Sequence, residues 1–179
     1  MKIGIFYGST YGNTAVAAHM LKEMLEKNPS LTVEEYDVSF LKVEDMLKFD
    51  KVFIGCSTWY VGEVQDDWHP RYAKLSKLAW NGKQVALFGQ GDQRTYSNTF
   101  QDALGILAEH LELGGAQLVG FTSVQGYNFD ASKAQRGQQF IGLALDDDNE
   151  VKLTKPRLEA WVQQLMLEMG LKIPELAIA

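Results

Sequence analysis

The sequence predicts an α/β fold, in which a single domain spanning residues 1–179 contains an open, doubly wound, five-stranded parallel sheet with helices on both faces. Short apolar runs of strand length alternate with amphipathic helical patterns along the chain, which is typical of parallel strands joined by crossover helices. Two central runs, VFIG and VALF, lack the polar alternation of half-exposed strands, as burial on both faces requires. The length of 179 residues suits one domain.

Five strands are predicted from the apolar runs. The loops after the first, third and fourth strands are the most informative, because ligands of such sheets bind at the carboxyl ends of the strands near the switch point. In chain order the predicted strands are residues 2–7, 31–37, 51–56, 84–88 and 117–121.

Three helices are predicted from apolar residues that recur every three or four positions. The first ends at Asn28-Pro29, since a proline disfavours helix at the residue before it. The second ends at Gly114-Gly115, and the third covers residues 156–169 with Pro156 in its first turn. The apolar positions are Val16, Ala17, Met20, Leu21, Met24 and Leu25, then Phe100, Leu104, Leu107 and Leu111, then Leu158, Trp161, Val162, Leu165 and Met169.

Composition and charge exclude several classes of protein. The formal net charge of −6 argues against sequence-independent nucleic-acid binding, which needs basic clusters. No apolar run approaches the roughly 20 residues of a membrane-spanning helix, and Met1 leads into a strand without a secretory leader. The single cysteine, Cys56, cannot form an internal disulfide, and the three histidines have no zinc-type spacing. We therefore expect a soluble, cytoplasmic, monomeric protein without a metal, in which Cys56 is a core thiol.

The loop after the first strand has the composition of a phosphate site. It opens directly into a helix, whose first backbone N–H groups have no partner within the helix. It contains no lysine or arginine, so an anion would be held by hydroxyl groups and oriented dipoles. The residues that offer these groups or shape the turn are Ser9, Thr10, Tyr11, Gly12, Asn13 and Thr14.

Familiar nucleotide loops do not account for this turn. A nucleoside-triphosphate loop requires Gly-Lys-Ser/Thr, and Asn13 stands in the place of the lysine. The dinucleotide fingerprint G-x-G-x-x-G is absent from the loop. A hydroxyl-rich turn that only caps the helix is the remaining alternative to a phosphate site.

Large aromatic side chains stand in both of the other loops. Residues 57–68 follow the third strand and carry Trp59 and Tyr60, and residues 89–96 follow the fourth strand and carry Tyr96. Rings on two ligand-side loops could converge on opposite faces of one planar group, where stacking is worth roughly 1–3 kcal/mol per aromatic partner. Partly buried surface aromatics are the alternative. One phosphate and one planar ring, without a second phosphate site, indicate a mononucleotide.

Together the three loops resemble the flavin mononucleotide (FMN) site of the flavodoxins. The turn at residues 9–14 resembles their phosphate loop, and residues 58–68 and 89–103 are similar to the segments on the two faces of their flavin. Residues 122–139 resemble the insertion that splits the fifth strand in long-chain flavodoxins, and its role as a docking surface or a stabilising flap stays open. The resemblance spans residues 2–169 and implies the strand order 2-1-3-4-5.

The resemblance also implies which residues bind FMN. Trp59 and Tyr96 would sandwich the isoalloxazine ring, and Asp148 would approach the ribityl chain. The carbonyl of Tyr60 would accept a hydrogen bond from N5 once the ring has taken up one electron and one proton. The implied cofactor-binding set, which contains no catalytic and no metal-binding residue, is Ser9, Thr10, Tyr11, Gly12, Asn13, Thr14, Ser57, Thr58, Trp59, Tyr60, Gly62, Gln90, Gly91, Asp92, Tyr96 and Asp148.

Three residues depart from the family pattern. Tyr11 stands where threonine is usual, which puts one hydroxyl contact to the phosphate in doubt. Thr95 replaces the usual glycine before Tyr96, and because a β-branched residue disfavours positive φ, a different tilt of Tyr96 is expected. Arg94 places a cation beside the flavin loop, so we expect a less negative second reduction potential.

The function that the resemblance implies is a low-potential one-electron carrier. Stacked rings, the flavin phosphate and nearby carboxylates would disfavour a fully reduced, anionic flavin. Such a carrier would shuttle electrons between a reductase and acceptor enzymes, and its acidic rim would steer basic partners to the flavin edge. The alternative is an FMN-dependent NAD(P)H or quinone reductase on the same fold. A phosphorylation-switched receiver domain is excluded, because Gly8-Ser9 and Cys56-Ser57 stand where it needs acidic residues.

Overall fold

The computed structural model describes residues 1–171 and contains one large, mainly parallel sheet. Residues 172–179 lie outside the described part of the chain, and a single domain over residues 1–179 stays a prediction. The helices are α1 (Asn13–Glu26), α2 (Asp102–Leu113) and α3 (Asp147–Glu168). The strands are β1 (Lys2–Tyr7), β2 (Thr32–Asp37), β3 (Lys51–Trp59), β4 (Glu63–Val64), β5 (Gln84–Gln90), β6 (Gln117–Val119), β7 (Thr122–Ser123), β8 (Gln135–Arg136), β9 (Gln139–Phe140) and β10 (Leu143–Leu145).

The order of the strands confirms the predicted doubly wound sheet. It reads β2-β1-β3-β5, and the edge position beside β5 is shared by β6 and β10. β6 pairs in parallel with residues 84–86 of β5, whereas β10 pairs in parallel with residues 88–90. The fifth strand is therefore split, as the sequence predicts. Residues 120–142, called the insertion below, lie between its halves and contain a small antiparallel sheet with the order β7-β9-β8.

The sheet buries both of its faces because side chains alternate along each strand. Ile3, Ile5 and Phe53 belong to the apolar layer beneath α1 and α3. Phe6 and Ile54 point to the opposite layer, which includes residues of α2 and of the insertion. Double-sided burial explains why the central strands show no polar alternation.

The strand ends differ from the predicted bounds in ways that shape the site. β3 runs to Trp59 rather than to Cys56, because Thr58 and Trp59 pair with β4 in an antiparallel hairpin. β5 extends to Gln90, beyond the predicted end at residue 88, because Gln90 pairs with both β3 and β10. β6 ends at Val119, where Gly120 with a φ of 78° turns the chain into the insertion.

The third helix was placed too late by the sequence pattern. It begins at Asp147, after Asp146, whose side chain accepts a hydrogen bond from the backbone N–H of Asn149. A break at Glu150, with a φ of −137° and a ψ of 34°, separates a short first turn from the rest of the helix. An aspartate cap and acidic residues in the first turn both favour a helix start here. The prediction that Pro156 lies in the first turn is therefore wrong, since Pro156 lies inside the helix. Within residues 1–171, no helix combines the length and the apolar character needed to cross a membrane.

The other two helices need smaller corrections. In α1, the row of Ala17, Leu21 and Leu25 faces the sheet, whereas Val16 is exposed. Phe100 is buried as predicted, but it precedes α2 instead of lying within it. The end of α2 at Gly114-Gly115 is confirmed by a Gly115 φ of 89°, a conformation that suits glycine.

Candidate functional site

A cleft of about 450 Å³ opens where β1, β3 and β5 end. Its walls come from the connections that follow these strands and from the beginning of α3. All of the predicted site residues except Gly12 and Gly62 line it, and whether they bind a cofactor stays a prediction. The lining residues are Ser9, Thr10, Tyr11, Asn13, Thr14, Ser57, Thr58, Trp59, Tyr60, Gln90, Gly91, Asp92, Thr95, Tyr96, Thr99, Phe100 and Asp148.

Gly12 and Gly62 shape the walls of the cleft through their backbones. Gly12 precedes α1 with a φ of 97°, and Gly62 has a φ of 85° in the turn between β3 and β4. Side chains strongly disfavour both conformations. A Cβ atom on Gly62 would also lie 2.6 Å from Oδ2 of Asp102, so this turn packs directly against the start of α2.

The hydroxyl groups of the β1–α1 loop are oriented by hydrogen bonds within the protein. Ser9 Oγ accepts from the backbone N–H of Ala15 at 3.3 Å, so Ser9 does cap the helix. Thr10 Oγ1 accepts from the side-chain amide of Gln65 at 3.1 Å. A hydroxyl that accepts one hydrogen bond can still donate its own proton, so both groups remain available to an anion. Gly12 has no side chain and adds no cap to the Ser9 contact, so the first turn of α1 would offer its other N–H groups to an external acceptor.

Gln65 joins two walls of the cleft and was not among the predicted site residues. It is 1% exposed, and its Nε2 donates both to Thr10 Oγ1 and, at 2.7 Å, to Asp67 Oδ2. Its Oε1 accepts from the backbone N–H of Asp67 at 3.1 Å. Gly8 makes room for this side chain, because a Cβ atom there would overlap Gln65 Oε1. Only the position of Gln65 in the third-strand loop hinted at such a role.

Trp59 is held in place by polar and aromatic neighbours. Its Nε1 donates to Ser57 Oγ at 2.8 Å. The ring of Tyr11 lies 5.4 Å from the Trp59 ring, centroid to centroid, and that of Tyr60 lies 6.0 Å away. Tyr11 is 85% exposed and lines the cleft beside the indole.

The turn after Trp59 stores backbone strain. Tyr60 has a φ of 48°, and in residues 1–171 only Gln101 shares such a left-handed conformation among residues other than glycine. Strained backbone of this kind costs of order 1–3 kcal/mol and is common at functional sites. Thr95 does not have a positive φ. This agrees with the expectation that a β-branched residue avoids that conformation, and a different tilt of Tyr96 stays a prediction.

Asp92 stays ionised at the mouth of the cleft. Its Oδ1 accepts from the backbone N–H groups of Arg94 at 2.9 Å and Thr95 at 2.8 Å, and from Asn149 Nδ2 at 2.9 Å. Partial burial by itself would raise the pKa of Asp92, but hydrogen bonds from Thr95, Asn149 and Arg94 outweigh it and lower the pKa to about 2. Hydrogen bonds to the charged form favour that form.

Asp148 shows the opposite effect on the same wall. Burial raises its pKa, and the carboxylates of Asp92, Asp146 and Asp147 raise it further. Asp146 is fully buried and accepts hydrogen bonds from Gln93 and Asn149. The carboxylates on this wall therefore disfavour any additional negative charge in the cleft.

Cys56 lies in the core and not in the cleft. It is fully buried in the layer that contains Phe6, and burial raises the pKa of its thiol to about 12. The thiol is therefore protonated and unreactive at neutral pH. Across residues 1–171, His, Cys, Asp and Glu side chains form no group suited to a metal ion.

Comparison with known proteins points to one family. The sequence model of the family described as "Flavodoxin" matches residues 5–161. A curated flavodoxin from Synechococcus elongatus is 45% identical over 170 residues, which cover 95% of this chain and 99% of that protein. Flavodoxin 1 of Escherichia coli is 41% identical over 169 residues, which cover 94% of each chain. Among solved structures, a Fusobacterium nucleatum flavodoxin bound to flavin mononucleotide is 29% identical with a TM-score of 0.87, covering 93% of this chain and 98% of that chain.

Proposed function

Because the chain belongs to the flavodoxin family, we propose that its cleft binds FMN non-covalently and that the protein carries electrons one at a time at low potential. The observation that carries this proposal is the convergence, in one cleft, of a helix N-terminus whose loop has no charged side chain with aromatic side chains from the end of β3 and from the connection after β5. The reductase alternative loses support, since the curated relatives carry the name flavodoxin, which denotes an electron-transfer protein and not an enzyme.

The residues of the cleft fit FMN in size and in chemistry. A volume of about 450 Å³ lies within the roughly 300–1,000 Å³ of small-molecule sites. Ser9, Thr10 and Asn13 would hold the phosphate with hydroxyl and amide groups at the N-terminus of α1. Trp59, the last residue of β3, and Tyr96, in the connection after β5, would stack on the ring. Asp148 would face the polar ribityl chain.

The charged groups of the protein would lower the reduction potential of bound FMN. When bound, FMN supplies a ring that accepts electrons singly or in pairs. Asp92, with a pKa of about 2, keeps a full negative charge at neutral pH, and the pKa of Asp148 on the same wall is raised by burial and then by the carboxylates of Asp92, Asp146 and Asp147. A negative field opposes an additional negative charge on the ring, and this lowers the potential. The carbonyl of Tyr60, in its strained turn, is the acceptor that we propose for the N5 proton.

The mouth of the cleft suits transient contact with other redox proteins. Tyr60, Val61 and Tyr96 are each more than half exposed beside it, which offers an apolar contact area. The net charge of −6 would attract basic partners, an effect that weakens with salt. We propose a reductase and acceptor enzymes as partners, a cytoplasmic location and a monomeric state. Sedimentation of the purified protein would test the monomeric state directly.

Titration with FMN followed by stepwise reduction with dithionite tests the function. We expect flavin fluorescence to be quenched at a one-to-one ratio, and a stable one-electron-reduced form with long-wavelength absorbance to accumulate during reduction. Failure to bind FMN, or direct conversion to the two-electron-reduced form, would contradict the proposal. Rapid and complete bleaching by NADPH alone would favour the reductase alternative.

A further inference from the structure

The insertion packs its aromatic side chains around the connection that carries Tyr96. This connection, residues 91–101, is called the Tyr96 loop below. Its residue Phe100 is 1% exposed and also lines the cleft. The ring centroids of Tyr127, Phe129 and Phe140 lie 5.7, 5.6 and 5.8 Å from that of Phe100. The insertion therefore supplies the apolar support beneath one wall of the cleft.

A polar contact holds the residue that directly follows Tyr96. The backbone N–H groups of Asp130 and Ala131 donate to the carbonyl of Ser97 at 2.9 and 3.0 Å. The hydroxyl of Ser97 donates to Asp130 Oδ2 at 2.5 Å. Asp130 thus fixes both the backbone and the side chain of Ser97.

Further contacts tie the insertion to Gln93, near the beginning of the Tyr96 loop, and to Asp102, the residue that follows its end. The backbone N–H of Asn128 donates to Gln93 Oε1 at 2.6 Å. The backbone N–H of Lys133 donates to Asp102 Oδ1 at 2.7 Å, and its ammonium group lies 3.5 Å from Asp102 Oδ2. Gln93 and Asp102 are 3% and 4% exposed, so both backbone hydrogen bonds end on buried acceptors, whereas the Lys133 side chain is 60% exposed.

The Tyr96 loop has little regular structure of its own. Its regular structure is limited to a short 3₁₀ turn at Ser97–Thr99, and Tyr96 itself is 53% exposed. The backbone of Tyr96 is bonded to Asp92 and Thr99 of the same loop, at 3.1 and 3.0 Å. Since packing leaves half of the Tyr96 side chain uncovered, its position depends on the backbone next to it.

We infer that the insertion is a positioning element for Tyr96 and that Asp130 is the positioning residue through which it acts. The inference rests on the proposed FMN function, and it favours a structural role for the insertion over a docking surface. Fixing Tyr96 before the flavin arrives reduces the entropy lost on binding. The contact between Asp130 and Ser97 is separated by 33 residues in sequence, so it links the two segments only in the folded protein.

Binding of FMN and of riboflavin to Asp130→Ala and Asp130→Asn tests the inference. We expect Asp130→Ala to lower the affinity for FMN and for riboflavin by the same factor, about 2- to 10-fold for one lost hydrogen bond. The two factors should agree because the ring that Tyr96 would contact is present in both flavins. Asp130→Asn keeps an oxygen that accepts from Ser97 and should bind within about twofold of the unmodified protein.

A double-mutant cycle with Tyr96→Ala shows whether Asp130 acts through Tyr96. We expect Asp130→Ala to have no further effect on the affinity for either flavin when Tyr96 is already alanine. The inference is overturned if Asp130→Ala binds normally, if its effect persists in the Tyr96→Ala protein, or if Asp130→Asn is as impaired as Asp130→Ala. If the unmodified protein does not bind FMN, the proposed function itself fails.

Discussion

Replacing Gln65 with methionine would test whether one buried amide holds two walls of the cleft together. The Gln65 side chain joins Thr10 in the β1–α1 loop to Asp67 after β4 through three hydrogen bonds of 2.7–3.1 Å. Methionine has a similar length and volume, so the change removes the polar contacts and largely keeps the packing.

The expected loss follows from these three bonds. A hydrogen bond between neutral groups contributes about 0.5–1.5 kcal/mol net, and one to a carboxylate contributes about 1.5–3 kcal/mol. Solvent can partly replace the partners of Thr10 and Asp67, and methionine gains from apolar burial, so we expect a loss of about 2–3 kcal/mol in unfolding free energy. The Thr10 hydroxyl would also lose the donor that orients it. We expect FMN affinity to fall about tenfold, or about 1.4 kcal/mol, and riboflavin affinity to fall less, because riboflavin has no phosphate.

Urea unfolding and flavin fluorescence titrations would measure the two effects separately. Gln138→Met is a matched control, because Gln138 is an exposed residue of the insertion. The control should change neither quantity by more than about 0.5 kcal/mol. If Gln65→Met unfolds and binds FMN like the unmodified protein, the proposed link between the two walls is refuted.

Four further predictions follow from individual contacts. Gly62→Ala should lower the unfolding free energy by about 1–3 kcal/mol in urea, because the new Cβ would meet Asp102 and a φ of 85° disfavours a side chain. Trp59→Leu should weaken FMN binding by about 5- to 150-fold in fluorescence titrations, the equivalent of one stacking partner. The stability advantage of the unmodified protein over Asp92→Asn should be present above pH 4 and shrink toward pH 2, since the folded pKa of about 2 lies below the ordinary 3.8. Arg94→Glu should make the second reduction potential more negative in a potentiometric titration, because it replaces a cation within the Tyr96 loop with an anion.

Each of these four predictions would be contradicted by a specific result. Unchanged stability of Gly62→Ala would mean that the turn relaxes freely, and unchanged FMN affinity of Trp59→Leu would remove the indole from the binding site. A stability difference for Asp92→Asn that persists at pH 2 would show that it does not arise from the Asp92 charge. If the second reduction potential of Arg94→Glu stays the same or becomes less negative, the charge of Arg94 does not influence the flavin ring as expected.

Much of the fold could be predicted because its signals are local. The periodicity that predicts β1 and α1 lies within a few neighbouring residues, and Gly114-Gly115 marks the end of α2 by backbone preference alone. Element ends were less predictable when they depend on a partner. β3 continues to Trp59 because β4 pairs with it, and neither strand shows this in its own residues.

The sequence by itself determined the fold class, the buried thiol of Cys56 and the loops that meet in the cleft, because apolar periodicity, composition and the order of strands encode them. Only the tertiary structure decided which side chains hold those loops in place. Gln65 reaches Thr10 across 55 residues of sequence, and Lys133 reaches Asp102 across 31. The opposite pKa directions of Asp92 and Asp148 likewise arise from neighbours assembled by folding. Hydrogen bonds and charge interactions depend on distances in space, and a linear pattern does not contain those distances.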